Sequence, residues 1–239
     1  MRMEIWSDVV CPWCYIGKRR LEKALARFAH ADEVDVVWRS FELDPSAPTA
    51  GHVDLLDRLA TKYRVSRAEA AAMNERVSGV AAGEDLAFRL DLARPGRTFD
   101  AHRLLHLAAD RGRQDAVKEG LLAAYLLHGQ AIADRAVLAE VGVAAGLDPA
   151  EVDAVLAGDA YAAAVRADEA EGHELGVTGV PFFVVDRRLA VSGAQSSDAL
   201  LDVLQRAWDG RPPVQVVAGV VDDTAVDACG PDGCEAPAG

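Results

Sequence analysis

Residues 11–14 read Cys11-Pro12-Trp13-Cys14, and the rest of the chain is organised around this stretch. Residues 3–10 before it are apolar and β-branched enough for a strand that ends at Ser7-Asp8. Residues 16–28 after it repeat apolar side chains at helical spacing. The cysteines are therefore expected where a strand turns into a helix, with Cys11 exposed at the entry. Pro12 suits the first helical turn, because the N–H groups of that turn have no partner within the helix.

Two cysteines at the start of a helix suit dithiol redox chemistry. The unpaired N–H groups and the positive end of the helix dipole favour negative charge, so we expect a lowered pKa for the Cys11 thiol. Cys14 lies one turn further, less exposed and close enough to close a disulfide. We therefore predict that Cys11 attacks and that Cys14 resolves the mixed disulfide. Pro12 and Trp13 are predicted to tune the pair and access to it.

Composition narrows the class of protein. The chain has 239 residues, of which 51% are apolar, and a net charge of −13. This charge argues against nucleic acid or an anionic membrane as a partner. No segment approaches the roughly 18 to 20 unbroken apolar residues of a membrane span, and no apolar secretion segment precedes the first strand. We expect a cytoplasmic protein, a monomer or homodimer, in which a cysteine pair is catalytic or binds metal rather than being structural.

The remaining sequence divides into two parts of a sheet with a helical block between them. Residues 34–43 alternate well enough for a second strand, so the chain opens with a β-α-β unit, as thioredoxin-like domains do. Strands are again expected at 182–186 and 189–192, followed by a last helix over 197–208. Between these parts the spacing predicts helices over 53–63, 67–82, 99–111, 116–127, 135–145, 149–157 and 161–175. Ser66 followed by Glu69 predicts a capping box.

The predicted fold class is therefore α/β, a thioredoxin-like fold with a large inserted α-helical domain. Residues 1–50 and 177–210 form the discontinuous thioredoxin-like domain, and residues 51–176 form the insertion. Residues 211–239 form a C-terminal tail that carries a second cysteine pair, Cys229 and Cys234.

Four motifs together resemble one known group. They are Ser7-Asp8-Val9-Val10-Cys11-Pro12-Trp13-Cys14-Tyr15-Ile16-Gly17, Thr98-Phe99-Asp100-Ala101-His102-Arg103-Leu104, Gly179-Val180-Pro181-Phe182-Phe183 and Ser192-Gly193-Ala194-Gln195. The chain resembles the DsbA-like thioredoxin superfamily and, within it, the cytosolic FrnE-like dithiol-disulfide oxidoreductases and isomerases. Many relatives carry Asn where this chain has Arg97, which departs from the family pattern.

The resemblance implies a site and its partners. Pro181 matches the cis-proline of the family, which faces the cysteine pair and, with the backbone of Val180, binds an extended substrate chain. The implied partners are disulfide-containing proteins or small-molecule thiols, glutathione among them. No organic cofactor and no metal is required, because the dithiol itself carries the electrons.

Other roles for the cysteines stay open. Cys229 and Cys234 flank Gly230-Pro231-Asp232-Gly233, a favoured type I turn, so they are predicted to form a second redox pair that exchanges with the first. Alternatively, the four cysteines hold a structural zinc ion in a chaperone or binding module. A third alternative is a glutathione-dependent isomerase or transferase of the kappa or hydroxychromene-carboxylate isomerase type. Such enzymes generally use serine at the position of Cys11.

His102 and His106 lie four residues apart on one predicted helix. This spacing alone is weak evidence for a metal site, because carboxylate or cysteine ligands are missing from the pattern. His102 is instead expected to line the face between the helical block and the thioredoxin core and to contribute to substrate binding. Trp13 is expected to be exposed beside the thiols, whereas Trp6 and Trp38 are expected in the core.

Overall fold

The strand that precedes the cysteines organises the sheet. A computed structural model of the protein describes residues 1–48 and 54–210. Within them β1 (Arg2–Ser7), α1 (Pro12–Leu25) and β2 (Asp35–Ser40) form the predicted β-α-β unit. β1 and β2 are parallel, with Arg2 opposite Asp35 and Ser7 opposite Ser40.

Two later strands complete the sheet on the other side of β1. β3 (Phe182–Val185) pairs with β1 in the antiparallel direction, and β4 (Leu189–Ser192) pairs with β3 in the same way. The order of the described strands is therefore β2-β1-β3-β4, which places β1 inside the sheet. This position explains why five of the six residues of β1 are buried, the charged Glu4 included, since a strand in the middle of a sheet is covered on both faces.

The two faces of β1 contribute to two apolar clusters. Met3 and Ile5 pack with buried side chains of α1 and of the last helix, α9 (Ser197–Trp208). Trp6 points into the other cluster, which also contains buried residues of the helical segment and both cysteines of the quoted stretch. The sheet is therefore covered by α1 and α9 on one face and by the helical segment on the other.

Seven helices of the described chain lie between β2 and β3. They are α2 (Leu55–Tyr63), α3 (Arg67–Ala82), α4 (Phe99–Asp110), α5 (Gln114–Leu126), α6 (Arg135–Ala144), α7 (Pro149–Ala157) and α8 (Ala162–Glu174). The capping box is confirmed, because the Ser66 hydroxyl accepts a hydrogen bond from the Glu69 N–H and the Glu69 carboxylate accepts one from the Ser66 N–H. The predicted fold class, a thioredoxin-like sheet interrupted by helices, is also confirmed.

The predicted start of α5 was two residues late. Gln114, its first residue, accepts a hydrogen bond from the backbone N–H of Trp38 at 2.9 Å and donates one to the Trp38 carbonyl at 2.8 Å. These contacts with β2 fix the first turn of the helix, and sequence spacing alone does not reveal them.

Close backbone contact joins the helical segment to the sheet. The indole N–H of Trp6 donates to the Asp168 carbonyl of α8 at 2.7 Å. One turn later, a Cβ on Gly172 would lie 2.7 Å from Trp6 Nε1, so glycine is needed for this approach. The predicted domain division stays a prediction, and its boundary at residues 50 and 51 lies outside the described residues.

No helix in the described ranges is long and apolar enough to span a lipid bilayer.

Candidate active site

The cysteine pair lies at the predicted junction of strand and helix. Cys11 is the residue that precedes α1, with extended backbone angles, and Pro12 is the first residue of the helix. The Cys14 N–H donates to the Cys11 carbonyl at 3.2 Å, and the Cys11 N–H donates to the Asp8 carbonyl at 3.4 Å. Both thiols are free. The pair is thus described in its reduced form at the N-terminus of a helix of 14 residues.

The prediction that Cys11 is exposed was wrong. Cys11 and Cys14 both have 0% exposure. Cys11 Sγ lies 3.6 Å from the Val180 carbonyl oxygen, and the two sulfurs belong to the apolar cluster between the sheet and the helical segment. A substrate sulfur therefore reaches Cys11 only after the segments around it move.

The prediction that the helix start lowers the pKa of Cys11 was wrong as well. Burial, the hydrogen bond with Cys14 and the charge of Cys14 raise the pKa of Cys11 well above its ordinary value. Burial also opposes ionisation of Cys14, but the hydrogen bond from Cys11 and the charge of Lys118 outweigh it and lower the pKa of Cys14. In the reduced pair the first negative charge therefore resides on Cys14, and Cys11 donates a hydrogen bond to it.

Lys118 is a site residue that the sequence analysis missed. It lies on α5 with its side chain fully buried, and its ammonium group donates to the Ser7 carbonyl at 3.4 Å. Leu121, Leu122 and Tyr125 follow it at spacings of three, four and seven residues, and all three are buried. A lysine within the apolar stripe of a helix was the signal that could have identified it.

Lys62 is a second missed cation, on α2. Its side chain is half-buried, and burial lowers the pKa of Lys62, whereas the nearby Asp44, Cys11 and Asp8 act in the opposite direction. Nothing in its sequence context distinguishes it from a solvent-exposed lysine.

Asp8 connects the loop before Cys11 to two other elements. Its carboxylate accepts hydrogen bonds from the Val9 N–H at 2.7 Å and from the Leu43 N–H at 2.8 Å, and it contacts His102 Nε2 at 3.3 Å. Burial raises the pKa of Asp8, but the hydrogen bonds from His102 and Leu43 outweigh it, so that the pKa lies below its ordinary value. The carboxylate therefore stays ionised in the interior.

His102 lies between the helical segment and the thioredoxin core, as predicted, but it has 0% exposure. The expected contact with substrate is therefore corrected: the ring supports the Asp8 carboxylate from inside, because no part of it reaches the surface. His106, one turn later, contacts Ser40 Oγ at 3.1 Å, and its Nε2 lies 3.2 Å from the Asp168 carboxylate. The two histidines thus contact different partners. Among the described residues no group of three or more potential ligands could hold a metal ion.

Val180 and Pro181 lie against the cysteine pair. The bond between them is cis, and both residues are buried. Gly17 of α1 allows this approach, because a Cβ at Gly17 would lie 3.0 Å from Pro181 Cγ and 3.3 Å from Phe183 Cζ. The Cys-Pro-Trp-Cys stretch and the Val180-Pro181 segment therefore meet, as the resemblance implied.

The remaining predicted residues fall in different places. Pro12 and Trp13 are half-buried, so Trp13 is less exposed than expected, and its ring packs against the apolar cluster. Trp6 and Trp38 are buried in the core, as predicted. Cys229 and Cys234 lie outside the described residues.

Comparisons with known proteins identify a family. Residues 2–205 match the model of the DSBA-like thioredoxin domain. The chain is 47% identical to a probable DsbA oxidoreductase from Streptomyces coelicolor over 100% of both chains, with a TM-score of 0.84.

Two more distant structures share the fold alone. One is the cytosolic disulfide reductase DsbM from Pseudomonas aeruginosa, solved with GSH, at 19% identity and a TM-score of 0.59 over 87% of this chain and 100% of that one. The other is a 2-hydroxychromene-2-carboxylate isomerase, at 14% identity and a TM-score of 0.64 over 88% of this chain and 97% of that one. The fold by itself therefore does not separate disulfide chemistry from isomerisation.

Proposed function

The chain belongs to the DSBA-like thioredoxin family of thiol–disulfide oxidoreductases, and from this premise we propose that it exchanges disulfides through Cys11 and Cys14. The observation that carries the proposal is the position of two free, hydrogen-bonded thiols at the start of α1, one of them against the Val180 carbonyl. The dithiol supplies both electrons, so the reaction needs no organic cofactor or metal.

The exchange proceeds in two steps. The proton of Cys11 passes along the hydrogen bond to Cys14, and the Cys11 thiolate attacks one sulfur of a substrate disulfide. A mixed disulfide forms, and the other substrate sulfur leaves as a thiolate. Cys14, once deprotonated, attacks Cys11 Sγ, which closes the Cys11–Cys14 disulfide and releases the second substrate thiolate. The protein pair is oxidised by two electrons and the substrate is reduced by two; the reverse sequence oxidises a substrate dithiol.

We assign the other predicted residues supporting roles in this exchange. The contact of Cys11 with Val180 supports a role for Val180 and Pro181 in binding an extended partner backbone next to the reacting sulfur. Pro12 starts the helix, and the half-buried ring of Trp13 covers part of the entrance. The proposed substrates are protein disulfides or small-molecule disulfides such as that of glutathione, in the cytoplasm.

We also propose that Cys229 and Cys234 form a second dithiol that exchanges with the first. About 20 residues separate Trp208 from Cys229 in the sequence, and chain statistics give a span of roughly 25 Å for this number of residues, comparable with the size of a folded chain of this length. Tethering would keep the effective concentration of the tail thiols in the range of about 1 mM.

Trapping of the mixed disulfide tests the main proposal. Cys14→Ser is expected to accumulate a mixed disulfide between Cys11 and a disulfide-bonded substrate, because the resolving thiol is missing. Cys11→Ser is expected to abolish turnover and to form no such adduct. Mass mapping of the adduct gives the answer. A mixed disulfide on Cys14 in the Cys11→Ser variant, with normal turnover, would contradict the assignment of roles.

The same variants address the isomerase alternative. A glutathione-dependent isomerase uses serine at this position, so its activity would survive Cys11→Ser and would not need Cys14. That alternative would be favoured if Cys11→Ser retains glutathione-dependent isomerisation and if neither Cys11→Ser nor Cys14→Ser changes disulfide exchange.

A further inference from the structure

The two buried lysines of the described chain, Lys118 and Lys18, differ in their partners, because Lys118 has no carboxylate partner. In residues 1–48 and 54–210 no acidic side chain forms an ion pair with it, and its ammonium contacts a neutral carbonyl, that of Ser7. Lys18 on α1 is also almost fully buried, but Asp115 lies 3.2 Å and Glu119 lies 3.0 Å from its ammonium, and Glu22 pairs with it as well. Lys18 is therefore compensated locally, whereas Lys118 is not.

The surroundings of Lys118 favour pairing of its ammonium with a thiolate of the cysteine pair. Its ammonium lies 5.3 Å from the centre of the Trp38 ring, a cation–π contact that supplies no net negative charge and so leaves the buried cation without a counter-charge. An isolated buried ammonium is strongly disfavoured unless it meets a negative charge. The negative groups that act on Lys118 are Cys14, then Asp8, then Cys11. The Asp8 carboxylate already accepts hydrogen bonds from two backbone N–H groups and contacts His102, which leaves the Cys14 thiolate as the group without another cation.

We propose that Lys118 is a positioning residue that holds the thiolate of Cys14, so that a helix of the insertion sets the redox equilibrium of the thioredoxin dithiol. This inference rests on the proposed disulfide exchange. It assigns to α5 a role in the chemistry of the site as well as in packing.

The proton and charge balance of the second exchange step follows from this assignment. The proton of Cys14 Sγ passes to the substrate thiolate released in the first step, the Lys118 ammonium holds the Cys14 thiolate that remains, and this thiolate attacks Cys11 Sγ of the mixed disulfide. The Cys14–Cys11 bond forms, the bond between Cys11 and the substrate breaks, and the substrate sulfur leaves with the electron pair. Lys118 then faces Asp8 alone.

Several groups bias the charge of Lys118. Burial lowers the pKa of Lys118 to about 8, whereas the charges of Cys14, Asp8 and Cys11 raise it and that of Lys18 on α1 lowers it. A buried ammonium with a pKa close to neutrality can release its proton once the thiolate is consumed by disulfide formation. Loss of the cation should thus destabilise the thiolate form of the reduced pair more than the disulfide.

Replacement of Lys118 by methionine in the full chain tests the proposal. Lys118→Met keeps the length of the apolar stem but removes the charge. Two quantities are measured: the pH titration of thiolate absorbance in the reduced protein, and the equilibrium constant with reduced and oxidised glutathione. The first thiol titration is expected to move upward by about one pH unit, and the equilibrium constant to move about tenfold toward the protein disulfide, equivalent to a potential lower by about 30 mV.

Lys18→Met is the matched control, because it removes an equally buried lysine that has its own carboxylates. It is expected to lower the thermal midpoint and to change both redox quantities by less than twofold, in the direction opposite to Lys118→Met, because it removes a positive charge that acts against the ammonium of Lys118. Lys118→Gln serves as a second uncharged variant if the methionine variant folds poorly, and it should shift both quantities in the same direction.

The outcomes separate this proposal from the function on which it rests. Equal shifts in Lys118→Met and Lys18→Met, or no shift in either, would overturn the role of Lys118 while disulfide exchange by the parent protein stands. If the parent protein itself forms no disulfide with glutathione at any ratio, the proposed function fails first.

Discussion

At the scale of single residues, the asymmetry between Cys11 and Cys14 is the main feature of the site. A helix start is expected to favour charge on the cysteine that precedes it. Here Cys11 is buried and hydrogen-bonded, so the reduced pair places its first charge on Cys14 instead. The two thiols share a proton and titrate as a unit. Cys11 can still be the attacking sulfur, because the shared proton needs to move only between neighbouring atoms.

Asp8 provides a prediction about pH and stability at the same scale. In the folded protein the pKa of Asp8 lies below its ordinary value, so the ionised carboxylate stabilises the fold above the pKa of the unfolded chain, about 3.9. This stabilisation is lost as the pH falls through the lower, folded pKa. Asp8→Asn should therefore reduce the free energy of unfolding by about 1–3 kcal/mol at neutral pH, because the amide nitrogen of Asn cannot accept and one set of buried donors loses its acceptor.

Denaturant unfolding of both proteins between neutral and acid pH measures this difference. The gap between parent and Asp8→Asn is expected to be constant at neutral pH and to narrow below about pH 4, where the Asp8 carboxylate of the unfolded chain takes up a proton, until the folded carboxylate is protonated at lower pH. A gap that widens toward acid pH would contradict the ionised state assigned to Asp8.

Sequence reasoning at this scale succeeded where a residue has a chemical signature. Cys11, Cys14 and Pro181 belong to motifs, and the structure brings all three together. Lys118 belongs to no motif, and Asp8 lies in the first motif without a role assigned to it; the importance of both depends on burial, which local sequence indicates only weakly. The predicted exposure of Cys11 and the predicted contact of His102 with substrate were wrong for the same reason: both residues are buried by elements from distant parts of the chain.

At the scale of elements, the close approach of α1 to Pro181 depends on Gly17. Replacing Gly17 by alanine would raise helix propensity by about 1 kcal/mol, but the added methyl would meet Pro181 and Phe183 at 3.0 and 3.3 Å. Overpacking of this kind costs about 1–3 kcal/mol. Gly17→Ala is therefore expected to be neutral to destabilising and to slow disulfide exchange by displacing Pro181.

Gly79→Ala is the control for this change. Gly79 lies in α3, and a Cβ there would meet nothing within 4 Å, so the same substitution should stabilise the protein by up to about 1 kcal/mol and leave exchange rates unchanged. Thermal unfolding and exchange kinetics of both variants provide the measurement. A stabilised Gly17→Ala variant with the exchange kinetics of the parent would show that the contact between α1 and Pro181 does not affect disulfide exchange.

Element boundaries followed from caps and breaks. The capping box at Ser66 and the proline that opens α7 marked helix starts that the structure reproduces. α5 was less well defined, because Gln114 joins it through hydrogen bonds to Trp38. Periodicity identifies which residues form a helix, but contacts between elements decide where the first turn begins.

At the scale of the whole molecule, the helical segment is part of the active site. The apolar cluster that contains Cys11 and Cys14 also contains buried residues of α4 and α5, and the ammonium of Lys118 on α5 contacts the Ser7 carbonyl at the end of β1. The sequence predicted an insertion between two parts of a sheet, and this arrangement is confirmed. The contribution of Lys118, a residue of the insertion, to the charge of the site could be recognised only from the three-dimensional arrangement.

The second dithiol proposed for residues 211–239 is tested by comparing the full chain with a truncated one. Deletion of residues beyond Pro213 should leave the fold intact, because the match to the DSBA-like thioredoxin domain ends at residue 205. If Cys229 and Cys234 exchange with the first pair, the truncated chain should show a changed turnover or potential. Identical turnover and potential in the two chains would assign the tail no part in exchange.

A redox titration with disulfide mapping tests the central claim most directly. The full chain is equilibrated over a series of ratios of reduced to oxidised glutathione, quenched with acid and alkylated, and its peptides are mapped at each ratio. The account predicts a two-electron transition, in which the ratio of reduced to oxidised protein changes tenfold for each change of about 30 mV in glutathione potential. The oxidised protein carries a disulfide between Cys11 and Cys14. If both thiols stay free across the series, or if each forms only separate adducts with glutathione, the chain does not act through this dithiol.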